Sequence, residues 1–204
     1  SVSTNHNLIS NDVINLSINA NESVGVGTSA SVIVKHNSSI NKLLINPKTF
    51  GSAGVNTSTN TITLNGHGTK TGDKVYYSAT GSAISGLTTG GYFVYRVDDN
   101  NIRLANTYHN VVNYPPKVIN LLSTGGTSQE ISLINPNIPV IRNNDLVFDV
   151  SDSSLEGYDF NLYYDSKFKN QFVSTGSTDL ISVSGVGTIG VTTTATVTLK
   201  YYED

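Results

Sequence analysis

Residues 66–107 read GHGTKTGDKVYYSATGSAISGLTTGGYFVYRVDDNNIRLANT, and this stretch decides the fold class. Runs of β-branched and aromatic residues at 74–77, 92–97 and 102–105 are bounded by Gly, Asp, Asn and Ser. Short runs separated by such turn residues are typical of antiparallel strands joined as hairpins. The same pattern predicts further strands at residues 31–35, 61–64, 117–121, 146–150 and 194–202. Apolar residues at helical spacing are nearly absent, so the sequence predicts an all-β fold.

The composition excludes several classes of function. The 204 residues contain no Cys, so disulfides, thiolate nucleophiles and Cys-ligated metal sites are ruled out. Charged residues make up 13% and the net charge is -3, which argues against the basic surface of a nucleic-acid-binding protein. Because charges are few, 25 Ser, 24 Asn and 23 Thr must supply most of the polar surface.

The ends and apolar runs of the sequence bear on targeting. No apolar run approaches the ~20 residues of a membrane-spanning helix, and SVSTNHNLIS lacks the basic and apolar regions of a signal peptide. The chain begins with Ser1 and contains no Met, so we expect it to be a piece of a longer protein or a processed product.

Two short repeats suggest modules. His6 precedes Asp12 by six residues, just as His67 precedes Asp73, and an Asn-Asp step recurs at Asp145 without the histidine. Each Asp is expected to cap a turn before a strand. Leu-Ile-Asn-Pro occurs at 44–47 and again at 133–136, where Pro is expected to close a strand and mark a joint. These signals divide the chain into a β unit at 1–47, a hairpin module at 48–127 and a third unit at 128–204.

The two repeated histidines are the first candidates for chemistry. Asp12 or Asp73 is placed to orient its histidine as a general base. Repetition in the same turn context favours a structural role instead, in which a ring nitrogen bonds the hairpin backbone. His36 and His109 stand alone among polar residues and are predicted to be exposed. No HxH or HxxxH pair occurs, so a zinc site is not predicted.

Two groups of acidic residues have competing interpretations. Residues 98–101, Asp-Asp-Asn-Asn, read as a hairpin turn with φ > 0 at Asn, although they also resemble part of a calcium loop. The second group (Asp149, Asp152, Glu156, Asp159) reads as a solvated turn, although paired carboxylates also cleave glycosides. We therefore predict no catalytic, cofactor-binding or metal-binding residues, and no enzyme activity.

Tyrosine is the enriched aromatic residue, with 11 Tyr against 6 Phe. Adjacent tyrosines in a strand should alternate, with one ring in the core and the next facing outward. Outward rings at Tyr163, Tyr164, Tyr201 and Tyr202 would form a contact surface, for a sugar or for another subunit. Ordinary cross-strand packing is the other interpretation.

The stretch 66–107 resembles a hairpin module that is widespread in phage tail proteins. The module is similar to the first catalytic cysteine half domain of ubiquitin-activating enzymes. His-Gly at 67–68, Thr-Gly-Asp at 71–73 and Gly-Leu at 86–87 carry this resemblance. It implies a spacer or docking unit without catalytic residues.

Longer strings resemble virion structural proteins of tailed phages that infect marine cyanobacteria and related bacteria. These strings are TNHNLISNDVINL, LLINPKTF, LVFDVSDSSLEGYDFNLYYD and VGTIGVTTTATVTLKYY. The resemblance implies a tail, baseplate or fibre component that binds other virion proteins. It also implies a homo-oligomer, a trimer as in many fibres.

The last unit resembles a β-sandwich of cupredoxin or immunoglobulin type. Blue copper requires two His, a Cys thiolate and usually an axial Met. The chain has neither Cys nor Met, and no His follows His109, so such a sandwich would lack copper.

We expect a structural virion protein acting through shape and assembly contacts; the alternative is a carbohydrate- or receptor-binding adhesin module for a host-surface glycan. Neither function involves nucleic acid, membrane insertion or a cofactor.

Overall fold

A computed structural model describes residues 15–19, 30–141, 144–163, 167, 169–171 and 181–201. These residues form one short helix, α1 (Tyr108–Val112), two 3₁₀ turns at Ser52–Gly54 and Ser153–Leu155, and a series of strands. The strands are β1 Asn15–Asn19, β2 Ala30–Asn37, β3 Lys42–Phe50, β4 Val55–Asn56, β5 Thr61–Thr63, β6 Lys74–Thr80, β7 Gly90–Arg96, β8 Asn101–Ala105, β9 Ser128–Ile134, β10 Asn137–Ile141, β11 Asn144–Asp149, β12 Ile181–Val186 and β13 Thr196–Tyr201. The predicted all-β class is confirmed.

One predicted strand is wrong. Residues 117–121 form an extended connection outside the sheets, anchored where Ile119 N–H donates to the Leu104 carbonyl at 2.8 Å. Leu121 N–H donates instead to Asn60 Oδ1, also at 2.8 Å. The apolar residues there are explained by burial in the loop, because Leu121 is 3% exposed and Val118 and Ile119 are half-buried.

The chain folds into two compact units. Unit 1 comprises Ser1–Ile45 and Asn137–Asp204, and unit 2 comprises Asn46–Pro136. The predicted modules at 1–47, 48–127 and 128–204 differ from this grouping, because β2 pairs in parallel with β11 and so joins the first and last parts of the chain in one unit. A partner more than 100 residues away in sequence leaves no local signal.

The chain changes unit between Ile45 and Asn46, inside the first Leu-Ile-Asn-Pro string, and directly after Pro136, which ends the second. Asn46 and Asn135 adopt positive φ angles of 48° and 47°, a left-handed conformation that Asn tolerates better than most residues. Strand β9 ends at Ile134, before the second string finishes, as expected for a joint closed by Pro. The first differs, because β3 continues through Pro47 to Phe50.

Unit 1 contains two sheets. Strands β1 and β10 pair in parallel, and a second sheet has the order β12-β13-β11-β2-β3. Its buried side chains come from alternate positions of the strands, as in Leu146 and Phe148 of β11. Phe148 is fully buried and its ring centroid lies 5.1 Å from that of Phe160.

Unit 2 has the strand order β3-β9-β6-β7-β8-β5-β4 around one hydrophobic core. The core takes alternate residues from each central strand, as in Val75 and Tyr77 of β6. The predicted alternation of adjacent tyrosines is found on β6, where Tyr77 belongs to the core and Tyr76 does not. Tyr76 is nevertheless only 7% exposed, so its ring offers no open contact surface.

A buried pair of polar side chains closes this core. The Tyr77 hydroxyl donates to Gln129 Oε1 at 2.7 Å and accepts from Ile84 N–H at 2.9 Å. Gln129 Nε2 in turn donates to the carbonyls of Thr124 and Gly126, each at 3.1 Å. Two long loops are thereby attached to the centre of the sheet, and no polar atom of this pair is left without a partner.

Replacing Gln129 by Leu should destabilise the protein by about 2 kcal/mol, because the carbonyls of two loop residues lose a buried donor. The only other glutamine, Gln171, is exposed, so Gln171→Leu is the matched control and should stay within ~0.5 kcal/mol of wild type. Urea unfolding monitored by tyrosine fluorescence measures both. Equal stability of the two variants would contradict the role assigned to Gln129.

Burial raises the pKa of Tyr77 above its ordinary value of 10.0. The protonated Tyr77 side chain therefore contributes its full stabilisation below pH ~10. That stabilisation is lost as the pH rises through the folded-state pKa, because Tyr77 ionises more readily in the unfolded chain. Alkaline unfolding followed by phenolate absorbance should show one tyrosine that ionises only as unit 2 unfolds. Tyr77→Phe should remove that step, and a titration in which all tyrosines ionise before unfolding would contradict the assignment.

Candidate functional site

His67 lies in the connection between β5 and β6 and is 5% exposed. Its Nε2 lies 2.8 Å from the carbonyl of Asp98, which can only accept, so Nε2 carries the proton. Nδ1 accepts from Thr69 N–H at 3.0 Å and lies 2.8 Å from Thr69 Oγ1. Both ring nitrogens are thus hydrogen-bonded, one within the β5–β6 connection and the other to the β7–β8 turn.

Asp73 does not orient His67. Its Oδ2 accepts from Lys70 N–H at 2.7 Å, which closes the turn that immediately precedes β6. The partners of the His67 ring are Thr69 and the Asp98 carbonyl, so the general-base arrangement is absent from this turn. His6 and Asp12, the first copy of the motif, lie outside the described residues.

Residues 98–101 form the turn between β7 and β8. The Asp98 carboxylate accepts from Asn101 Nδ2 at 2.9 and 3.0 Å and from Asn100 N–H at 2.8 Å, and these bonds hold the pKa of Asp98 below its ordinary value. Asp99 pairs with Arg96. The turn was predicted, but the expected positive φ at Asn is not found there. The Asp98 carboxylate is thus occupied by two neighbouring donors, the side chain of Asn101 and the backbone N–H of Asn100.

The remaining acidic candidates lie in unit 1. Asp145 is the second residue of β11, opposite Lys200 on β13, and not in the turn that was predicted. Asp149 Oδ1 accepts from Ser151 N–H at 3.0 Å, and Asp152 Oδ1 caps a 3₁₀ turn by accepting from Ser154 N–H at 3.0 Å. In the part of the chain that the structure describes, no three His, Cys, Asp or Glu side chains gather as a metal site would require.

The prediction that His36 is exposed is wrong. The side chain is 8% exposed, its ring centroid lies 4.7 Å from that of Tyr158, and Nε2 lies 3.2 Å from Asn41 Oδ1. His109, the other lone histidine, is exposed as predicted.

The predicted tyrosine surface is only partly described. Tyr163 is half-buried and bridges to Gln171, while Tyr201 ends β13 opposite Asn144. The side chain of Tyr201 and the residues Tyr164 and Tyr202 lie outside what the structure describes. The sugar or subunit surface at these four tyrosines stays a prediction.

Strand β12 is the outermost strand of the larger sheet in unit 1. It pairs with β13 along all six residues, and no other described strand pairs with its second edge. Its sequence ISVSGV contains neither a charge nor Pro, and Val186 is 64% exposed. Charges, Pro and short length are the usual protection of an edge strand against pairing with another chain. This edge lacks them.

A second exposed surface surrounds α1 in unit 2. Thr107 caps the helix by accepting from Asn110 N–H, and Val111 is buried at 2% exposure. On the outside, Tyr108 is 51% exposed and Tyr114 is 97% exposed. The Tyr108 ring meets Phe93 edge to face, with centroids 6.2 Å apart. We call Tyr108, Tyr114 and Phe93 the aromatic surface of unit 2.

Backbone shape holds the Tyr108 ring in place. A Cβ atom on Gly72 would lie 2.7 Å from Tyr108 Cε2, so the ring rests directly on a backbone without a side chain. Gly72 also has φ +98°, which disfavours any other residue there. The ring is therefore positioned before any partner arrives.

Positive charge lies beside this aromatic surface. Lys74 stands directly opposite Phe93 in the β6–β7 pairing and so shares its face of the sheet. Lys117 N–H donates to the carbonyl of Asn110 in α1 at 2.7 Å. Unit 2 holds six Lys and Arg against four Asp and Glu, a net charge of +2, whereas the rest of the chain has a net charge of −5.

The sequence contains a signal for this surface that the strand pattern hides. Tyr108 and Tyr114 lie outside every β-branched run, beside a Thr cap and before Pro115-Pro116. Aromatic residues in loops have no strand partner to cover them, so they are better candidates for exposure than tyrosines within strands.

Comparison with protein-family models, with curated proteins and with solved structures found no match to this chain. Among the described helices, none has the length and apolar character needed to cross a membrane.

His67→Ala should lower the free energy of unfolding by about 2 kcal/mol, because it leaves the Asp98 carbonyl and Thr69 N–H without their buried partner. His109→Ala is the matched control, since His109 is exposed, and should change stability by less than ~0.5 kcal/mol. Urea denaturation of the two variants provides the comparison. A His67→Ala protein as stable as wild type would contradict the structural role assigned to His67.

Proposed function

We propose that the chain is a structural component of a phage virion, a tail, baseplate or fibre segment that acts through shape and assembly contacts. The resemblance of its longer strings to virion proteins suggests the setting. Its partners would be other virion proteins and further copies of the chain, with a trimer as the arrangement that the resemblance suggests.

The outer edge of β12, with which no other described strand pairs, is the observation that carries this proposal. An uncharged strand of six residues with an exposed Val186 suits pairing with a strand from another chain. The far end of the strand order in unit 2 is β4, which has only two residues and offers little to pair with. Of these two edges, that of β12 is the one long enough to favour assembly.

The use of buried polar groups supports the same role. His67, Gln129 and Thr69 are buried, and their side chains hold loops in place. Groups committed in this way stabilise shape and are not free for a reaction. The alternative function, a carbohydrate- or receptor-binding module, is favoured by the exposed ring of Tyr108.

A lysine placed in the β12 edge tests the assembly contact. We expect the wild-type chain to form an oligomer in light scattering coupled to size exclusion, and Ser184→Lys, at an exposed position, to shift it toward monomer, because a charge on an edge opposes pairing. Ser58→Lys adds the same charge at an exposed turn of unit 2 and should leave the oligomer intact. A stable wild-type monomer, or equal behaviour of both variants, would contradict assembly through β12.

The virion setting is tested on particles from the source organism. Peptides of this chain should co-sediment with gradient-purified tailed particles, and antibodies against unit 2 should label a fixed position on them in immunogold micrographs. Peptides confined to the particle-free fraction would contradict the virion role, whatever the oligomeric state.

A further inference from the structure

The Tyr108 ring has the properties of a prepared stacking surface. Gly72 supports it from below, Phe93 fixes its edge, and 51% of the residue remains exposed. A ring held in this way loses little freedom when a flat apolar group stacks on it, so binding there has a small entropic cost. Without a bound partner, a fixed and exposed aromatic ring forgoes the favourable free energy of removing its apolar surface from water.

The charges around the ring select the kind of partner. Lys70 and Lys74 flank the turn that contains Gly72, and Lys117 is joined to α1 through Asn110. None of these three lysines forms an ion pair within the described parts of the chain. Asp73 is the one carboxylate in this turn, and its Oδ2 accepts from the Lys70 backbone. The surface is thus locally positive in a chain of net charge -3.

We propose that the aromatic surface of unit 2 binds an acidic polysaccharide built from uronic acids. A pyranose ring offers an apolar face that stacks on Tyr108, and its carboxylate meets Lys74 or Lys70. Tyr114, six residues further along and 97% exposed, supplies a second ring for a neighbouring sugar. This inference goes beyond the virion role and does not depend on it.

The small number of charges distinguishes this partner from a nucleic acid. Three separate lysines match a chain with one carboxylate per sugar, whereas a nucleic-acid surface presents a continuous basic stripe that contacts many phosphates. The net charge of unit 2 is only +2. A bare apolar partner would make no use of Lys74, which lies opposite Phe93, or of Lys70 in the turn that contains Gly72.

Binding is tested with the full chain and defined oligosaccharides in calorimetry. The probes are hexamers of galacturonate and of mannuronate, maltohexaose as the neutral hexamer, and a dodecamer of thymidylate. We expect at least one uronate hexamer to bind, with an affinity that weakens several-fold at high salt because exposed charges are screened. Maltohexaose should bind about tenfold more weakly than that uronate.

Variants then locate the site. Tyr108→Ala should weaken uronate binding about tenfold, Tyr108→Phe should bind like wild type, and Lys74→Gln should weaken binding several-fold. Lys48→Gln makes the same charge change in unit 2 on β3, away from the aromatic surface, and should have no effect. Tyr114→Ala keeps the test valid if Tyr108→Ala fails to fold, because so exposed a side chain contributes little to folding.

Each remaining outcome counts against the proposal. Absence of heat for both uronates at about 5 mM ligand would overturn it, since even a Kd near 1 mM gives binding there. Tighter binding of thymidylate than of either uronate would assign the surface to nucleic acid instead. Unchanged uronate affinity in Tyr114→Ala and Lys74→Gln would place any binding elsewhere on the chain.

Discussion

The hydrogen bonds of Tyr77 and Gln129 connect the centre of unit 2 to the loops that follow β6 and β8. Both side chains are almost fully buried, at 0% and 1% exposure, on the neighbouring strands β6 and β9. Their partners are Ile84 N–H in one loop and the Thr124 and Gly126 carbonyls in the other. Where the loops meet, a Cβ on Gly125 would lie 2.9 Å from Ile84 N, so only glycine fits. The core is sealed by polar groups because the loops bring backbone, and not side chains, to its opening.

The predictable part of the structure is the part that local sequence determines. Alternating apolar residues and Gly, Asp and Asn turns are enough to locate β6, β7 and β8, because these strands pair with their neighbours in sequence. Parallel pairing of β2 with β11 is not visible in either strand alone, since any alternating strand can accept any partner. The false strand at 117–121 has a different cause, because a partly buried loop contains the same apolar residues as a strand.

The candidate surfaces show the same limit. His67 was identified from its spacing to Asp73, but its partners are Thr69 and a carbonyl 31 residues away, which no spacing rule reveals. Tyr108 was overlooked because its importance comes from Gly72, which lies on a different loop. A surface of this kind is made by juxtaposition of loops, whereas sequence patterns report on single elements. The neutral polar composition, in contrast, can be counted directly from the sequence. The two candidate surfaces, the edge of β12 and the aromatic surface beside α1, cannot be located from that composition.

The identical Leu-Ile-Asn-Pro strings at the borders of unit 2 share one conformational requirement. Each string places its Asn in the left-handed region, with φ angles of 48° and 47°, although β3 continues through the first string and β9 ends within the second. Most side chains are unfavourable in that region, and β-branched ones most of all. Substitution of Asn46 or Asn135 therefore strains the backbone at a border of unit 2 and not within its hydrophobic core.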